Sequence, residues 1–340
     1  MTDTDVLVVG GGPVGLVAAI EARLAGLGAV VVEPRSGPVD KACGEGLMPG
    51  TIRALQRLGV DPDGHPLRGI SYRARGHAVD HGFRAGAGRG VRRTTLHAAL
   101  RARADELGVE RVAARVGDIV VTADNVEAAE VSARWLLACD GLHSTVRRLT
   151  GLEVTDDKAG RRRFGLRRHY GVAPWTDLVE VHWARSAEAY VTPVAPDLVG
   201  VALLGPARTG WEETLAALPE LGEHLAGAPV VGSVLGAGPL RQRTTARTAG
   251  RVRLVGDASG YVDALTGEGL RVGFAQARAA VATLDDPAAY EQAWRRVTRD
   301  YRLLTSGLVA WATSPARPAL VPVARLVPWL FGTVVERLAR

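Results

Sequence analysis

The chain has 340 residues, 47% hydrophobic and 23% charged, with a mean hydropathy of +0.06; that apolar inventory suffices for one large core or two modest ones and excludes intrinsic disorder. Cys43 and Cys139 are the only cysteines, so neither a disulfide scaffold nor a cysteine-based zinc module can be built, and a reducing compartment is expected. The formal net charge is +6 and the isoelectric point about 9.8, yet every basic residue except Lys41 and Lys158 is an arginine, and these are dispersed among acids rather than clustered with aromatics, which argues against nucleic acid as a partner.

At the amino terminus, Met1-Thr2-Asp3-Thr4-Asp5 is acidic where an export signal needs positive charge, so a cytoplasmic protein is expected. Asp5 to Val9 reads as a buried parallel strand, Pro13 to Ala25 has helical apolar spacing with Gly26 placed to end the helix, and Ala29 to Val32 is a second apolar run closing on Glu33. Between the first strand and the helix lies Gly10-Gly11-Gly12-Pro13-Val14-Gly15, a G-x-G-x-x-G turn with proline in the first helical turn, where its missing N–H costs nothing. Gly10 permits the tight turn, Gly12 lets backbone amides approach a pyrophosphate at the positive helix end, and Gly15 allows close helix-to-strand packing. Glu33, ending the second strand, can accept hydrogen bonds from a ribose hydroxyl. Strand, glycine turn, helix and acid together predict a dinucleotide site.

A regular alternation of strands and helices does not follow; the chain runs instead into an irregular glycine-rich segment. Two later apolar strands each end on an acid: Leu136 to Cys139 before Asp140-Gly141, and Val252 to Val255 before Gly256-Asp257. With the amino-terminal turn, these resemble the three fingerprints of FAD-dependent oxidoreductases of the para-hydroxybenzoate hydroxylase fold. Lys41-Ala42-Cys43-Gly44-Glu45-Gly46-Leu47-Met48-Pro49 and the run from Asp257 to Leu270 resemble the corresponding segments of the geranylgeranyl reductase group and its monooxygenase relatives; Tyr190-Val191-Thr192-Pro193 is a degenerate form of that group's substrate-domain motif.

The resemblance implies an α/β fold: a Rossmann-like FAD-binding domain with an inserted antiparallel β-sheet substrate domain and carboxyl-terminal helices. The expected FAD-binding domain takes residues 1–64, 90–155 and 245–300, and the substrate sheet takes 65–89 and 156–244, where alternating segments such as Val179 to Trp183 and Val199 to Leu203 lie between Gly, Pro and Asp turns. Residues 301–340 form a helical segment, with apolar spacing over Tyr301–Ala312 and a further helix from Pro328. Its apolar residues serve packing or, alternatively, close over a lipophilic substrate or touch a membrane, so a peripheral membrane location stays open. The run Leu326 to Val335 is too short to cross a bilayer.

By the same resemblance, Asp257 hydrogen-bonds the ribityl chain, and Gly269 and Leu270, just after Gly267, present N–H groups to the pyrimidine end of the flavin, where a helix dipole stabilises the reduced anion. Arg93 touches the FAD phosphates, or is a surface arginine at a helix start. Asp140 with Gly141 lies near the pyrophosphate and the route of an NADH or NADPH donor, and the loop of Cys43, Gly44 and Gly46 lies close to the flavin. Trp183 and Tyr190 are the expected substrate-facing side chains, with sheet core as the alternative. Arg161, Arg162, Arg163, Arg167 and Arg168 form the densest basic cluster, which would steer an anionic or carrier-linked substrate.

No metal is expected, since His77 and His81 lack a third ligand and a convincing helix, and Ser144 with His143 lacks a nucleophile elbow. The Trp-x-Trp-x-Ile-Pro hallmark of flavin halogenases is absent. The implied activity is monooxygenation of a lipophilic or polyketide-like molecule of secondary metabolism, with C=C reduction of the geranylgeranyl reductase type as the alternative and a non-catalytic flavin-binding protein as a third. Relatives usually carry proline where this chain has Ala264, which relaxes that loop.

Overall fold

Val6, Leu7 and Val8 are fully buried and Val9 is 5% exposed, and a strand apolar on both faces is stable only between two neighbours and under cover on both sides. In the computed structural model, which describes residues 2–155 and 162–340, strand Thr2–Val9 takes that central place, parallel to Val131–Ala138 on one side and Ala29–Val32 on the other. Val252–Leu254 and Glu110–Val112 extend the parallel array, and short antiparallel strands Thr248–Ala249, Val126–Ala128 and Val120–Val121 complete an eight-stranded sheet. Its register decides where chemistry can occur. Val9 stands opposite both Val32 and Ala138, Ala138 opposite Leu254, and Val32 opposite Val112. The carboxyl ends therefore lie in line, and the segments after them, starting at Gly10, Glu33, Cys139 and Val255, emerge along one edge, the position where open α/β sheets bind ligands.

Helix Pro13–Leu24 packs against Gly269–Ala282, which in turn packs against the 26-residue helix Pro287–Ala312. The apolar spacing expected over Tyr301–Ala312 is thus the second half of a longer helix, started by Asp286, whose carboxylate accepts the Ala289 N–H at 2.9 Å.

A seven-stranded sheet runs in the order Val230–Ala237, Arg163–Tyr170, Leu198–Pro206, Glu188–Ala195, Leu178–Trp183, Gly69–Ala74, His77–Gly82. All its pairings are antiparallel except that of Leu178–Trp183 with Gly69–Ala74. Within the 65–89 stretch, residues 69–82 join this sheet, whereas His65–Leu67 and Gly88–Gly90 form a separate three-stranded sheet with Gly46–Leu47. Gly90 marks where the two sheets touch: a Cβ there would lie 1.7 Å from the Pro193 carbonyl, so the small sheet runs hard against strand Glu188–Ala195. His77 and His81 sit on a strand, not a helix, and meet the carboxyl-terminal helices, His77 beside Arg325 and His81 beside Glu336 at 3.0 Å.

Among the described residues the expected basic cluster is split, because strand Arg163–Tyr170 alternates and turns Arg163, Arg167 and His169 inward while Arg162 stays exposed; Arg161 lies outside the described residues. Arg163 donates to Glu188 at 2.8 Å and to Asp263 at 2.9 Å, and Arg317 donates to Glu188 at 2.7 Å. Two cations and two carboxylates thus close a buried, charge-balanced cluster that ties the antiparallel sheet to the loop before Gly269 and to the carboxyl-terminal segment. Arg168 lies over the Trp211 ring and pairs with Glu212. Glu188→Gln should leave Arg163 and Arg317 underpaired in the interior and destabilise the protein by about 3 kcal/mol. An unchanged denaturation midpoint in urea would remove the cluster from any structural role.

Candidate active site

The glycine turn is held open from beneath. Gly10 has φ +102°, and a Cβ there would meet the Cys139 carbonyl at 2.6 Å; a Cβ on Gly15 would fall 1.8 Å from the Gly10 carbonyl. Both positions accept only glycine, the first for its backbone and the second for its close approach. Gly12 differs, since a Cβ there would stand in open space with the Arg93 guanidinium nearest at 3.9 Å. The turn therefore presents amides at the start of helix Pro13–Leu24 toward a cavity, with Arg93 facing the same space. Glu33 accepts the Gly11 N–H at 2.9 Å and pairs with Arg35; burial opposes the charge of its carboxyl, but those hydrogen bonds and Arg35 outweigh it and keep the pKa below the ordinary value.

Lys41, not singled out in the sequence, is a second cation at this turn: a Cβ on Gly141 would be 3.7 Å from its ammonium. Burial, then the neighbouring Arg35 and Arg93, lower its pKa. These crowded cations want an anion between them. His97 was also missed; its Nε2–H donates to the Gly11 carbonyl at 2.8 Å, one turn along the helix that begins at Arg93. The i, i+4 spacing of Arg93 and His97 is the signal that could have revealed it.

Asp140 accepts the Val146 N–H at 3.1 Å, which fixes the Asp-Gly segment at the start of helix Thr145–Leu149, while its other carboxylate oxygen is buried without a partner. Arg147, fully buried, clamps that segment to the Gly-Asp segment, donating to the carbonyls of Leu142 at 2.8 Å and Ala258 at 3.3 Å and to Gln242 at 2.9 Å. Gln276 receives the Gly256 N–H at 2.6 Å and the Ser259 hydroxyl at 3.0 Å. Asp257 is thereby presented to the cavity, its carboxyl pKa raised by burial and pulled back by Arg93, Lys41 and Arg147.

The loop carrying Cys43, Gly44 and Gly46 is organised by Glu45, a residue the sequence reading passed over. Glu45 holds φ +60°, is buried, accepts the Arg93 N–H at 2.8 Å and meets His169 Nε2 at 2.6 Å. Arg167 donates to His169 Nδ1 at 3.0 Å, so Nδ1 is the acceptor and Nε2–H the donor to Glu45. Thr192 donates to the Gly44 carbonyl at 2.8 Å. The antiparallel sheet thus grips this loop directly.

On the opposite wall, Gly267, Glu268, Gly269 and Leu270 line the cavity at the start of helix Gly269–Ala282. Burial pushes the Glu268 carboxyl up to about 7 against the opposing pull of Arg271, and its Oε1 is buried without a partner. Ala264, at the position usually proline, lines the cavity, and its carbonyl accepts the Gly267 N–H at 3.0 Å.

Gly10, Gly12, Glu33, Lys41, the Cys43–Gly46 loop, Arg93, Asp140, Asp257 and the Gly267–Leu270 turn line one cavity of about 950 Å³, at the upper end of what a single small-molecule pocket occupies. Beyond the loops, its walls come from the antiparallel sheet and the carboxyl-terminal helices. Tyr190 lies there, its hydroxyl donating to the Leu265 carbonyl at 2.8 Å. Trp183 does not. It shares a strand face with Val179 and Val181, which line the cavity, but stands at the end of strand Leu178–Trp183, packed against Tyr72 with ring centroids 5.4 Å apart and covered by the Arg317 guanidinium. Gly15 is likewise outside the lining and acts by packing alone.

Comparison with known proteins follows the same geometry. Residues 3–289 match the family model of the FAD binding domain. The chain belongs to that family. It is 28% identical to the menaquinone reductase of Mycolicibacterium smegmatis over 88% of this chain and 81% of that protein. Identity is also 28% to the 12-dehydrotetracycline 5-monooxygenase/anhydrotetracycline 6-monooxygenase of Streptomyces rimosus, over 80% of this chain and 61% of that protein. With digeranylgeranylglycerophospholipid reductase 1 of Methanopyrus kandleri it is 30%, over 87% of each. Among solved structures, the flavin-dependent halogenase CmlS superposes with a TM-score of 0.78 at 19% identity, covering 100% of this chain and 72% of that one, a likeness of fold. The protein is a flavin-dependent oxidoreductase.

The residues fit FAD. Gly12 and Gly141 leave room beside the cations Arg93 and Lys41 for a diphosphate, and the start of helix Gly269–Ala282 faces the cavity where negative charge on a reduced ring is stabilised. Gly12→Val, which projects a side chain into the open space beside Arg93, should yield colourless apoprotein that is otherwise folded, whereas Asp257→Ala should retain FAD about tenfold more weakly. Full flavin occupancy of the Gly12→Val protein, read from its visible absorption, would show that the turn does not carry the diphosphate.

Proposed function

We propose that this enzyme is an FAD-dependent monooxygenase that draws electrons from NADH or NADPH and inserts oxygen into a lipophilic, polyketide-like small molecule. The observation that carries this reading is the single continuous cavity, cationic and amide-lined at the glycine turn and apolar beyond the Gly44 and Leu265 loops. Bound FAD supplies the redox chemistry, taking up a hydride from the nicotinamide and serving either oxygen insertion or hydride delivery.

The chain's own residues supply position and dryness. Among the described residues, those that the antiparallel sheet and the carboxyl-terminal helices give to the cavity include no carboxylate, histidine, lysine or arginine. Water is disfavoured there, and an apolar substrate gains roughly 25 cal/mol for each Å² it buries. Tyr72 and Tyr190 furnish hydroxyls, both held protonated because burial, and secondarily Glu188, raises them above the usual phenol range. Both can hydrogen-bond a substrate oxygen, and exclusion of water from this wall protects reactive intermediates, which supports oxygen insertion. The relative from Streptomyces rimosus, named as a monooxygenase, points the same way.

A second reading, reduction of a polyprenyl double bond, is favoured by the reductases among the relatives, those of Mycolicibacterium smegmatis and Methanopyrus kandleri among them. Incubating the yellow protein with NADH or NADPH under ¹⁸O₂ and a long-chain resorcinol or a polyprenyl quinone separates the readings by product mass. The expected product has gained one ¹⁸O atom. A product that has gained two hydrogens and no oxygen contradicts oxygen insertion, and a flavin that neither nicotinamide bleaches contradicts both readings.

A further inference from the structure

The carboxyl-terminal helices Leu320–Leu326 and Pro328–Ala339 meet at 103°. Their inner faces close the apolar end of the cavity through Val323, Val327, Phe331, Val334 and Leu338. Their outer face is also apolar: Leu326 is 81% exposed, Trp329 70% and Leu330 45%. Leaving a large apolar side chain in water forgoes the free energy of its burial, and here three stand together around one bend. Leu330 belongs to both faces, since it lines the cavity and reaches solvent. The chamber therefore ends at this patch.

Charge around the patch says what covers it. Arg325 is exposed beside Leu326, and exposed Arg84 and Arg53 flank the hairpin on which helix Pro328–Ala339 rests, Arg84 N–H donating to Glu336 at 2.9 Å and Arg53 to the Ala85 carbonyl at 3.1 Å. The nearby acids are committed, Glu336 to His81 and Asp300 to Arg337. An apolar bend with a tryptophan at its tip, Arg325 beside it and Arg84 against the same helix farther along, at Glu336, has the chemistry of an interfacial anchor on anionic lipid. Neither helix alone is long enough to cross a hydrocarbon core, with 7 and 12 residues against about 20 needed.

We propose that the bend around Leu326 and Trp329 docks on an anionic bilayer and opens the chamber to it, so that the lipophilic substrate enters from the membrane and not from water. The docking stands on surface geometry and charge; only the substrate route rests on the proposed function. Leu326 and Trp329 lie outside the cavity lining, so substitution there tests the surface without touching the site.

The experiment is co-sedimentation of the FAD-loaded protein with phosphatidylcholine vesicles, with and without phosphatidylglycerol, for wild type and the Leu326→Glu, Trp329→Glu double variant. Wild type should pellet with the anionic vesicles, lose binding in high salt, and bind at least about tenfold more tightly than the variant, while both keep the same flavin content and the same rate of flavin bleaching by nicotinamide. Wild type that stays in the supernatant with every vesicle, or a variant that pellets equally well, overturns the proposal. So does a wild type that fails to pellet and is a dimer that the variant converts to monomer, because the patch then covers a second copy of the chain. Since binding is read without turnover, failure here leaves the oxygenation reading standing, and failure of that reading leaves the docking intact.

Discussion

The alignment of parallel strand ends is the constraint from which the site follows. Val9, Val32, Ala138 and Leu254 lie in register, so the glycine turn, Glu33, Asp140 and Asp257 arrive at one edge although they come from distant parts of the sequence. Gly10 against the Cys139 carbonyl brings the glycine turn and the Asp140 segment as close as backbone allows, and Gly15 against the Gly10 carbonyl does the same for the turn and its helix. Amides and cations accumulate at that edge, where Arg35 and Arg93 disfavour the charge on Lys41, so an anion bound there would be stabilised. Dinucleotide binding is thus a consequence of register, and the chemistry then depends on what faces the opposite end of the ligand.

That second face is set by polar groups buried between the layers. His169 and Arg167 reach from the antiparallel sheet to Glu45 and Asp40 on the loop beside the cavity, and Arg163, Glu188, Arg317 and Asp263 join the same sheet to the opposite loop and to the carboxyl-terminal segment. An apolar interface would let the sheet slide over the dinucleotide-binding layer; paired charges and directional hydrogen bonds do not. The positive φ of Glu45 is part of the same arrangement, since that backbone conformation lets one carboxylate serve both the Arg93 N–H and His169.

Much of this was legible in the sequence because it rests on local rules. A glycine turn between a buried strand and a helix, followed by an acid at the end of the next strand, has a physical meaning that survives without tertiary information, and Gly12, Glu33, Asp140 and Asp257 all come to the cavity. What failed depended on tertiary placement. Trp183 is conspicuous as an aromatic on a sheet and shares its strand face with Val179 and Val181, but it stands at the strand end covered by Tyr72 and Arg317, so only the two valines reach the cavity. The arginine cluster failed on sidedness: alternate residues of one strand have opposite fates, and Arg163 and Arg167 went inward to partners far away in sequence. Glu45, His97 and Lys41 escaped notice because single charged residues carry no pattern until the fold supplies their neighbours.

The central claim is that the dinucleotide site and the apolar chamber form one cavity, so that a ligand in the chamber lies against the flavin. Titrating the oxidised holoprotein with a long-chain phenol while recording its visible absorption tests this most directly. A saturable shift of the flavin bands is predicted, abolished in Val181→Trp, which fills the chamber wall while the flavin content stays unchanged. Ligand binding established by calorimetry that leaves the flavin spectrum untouched would contradict the account.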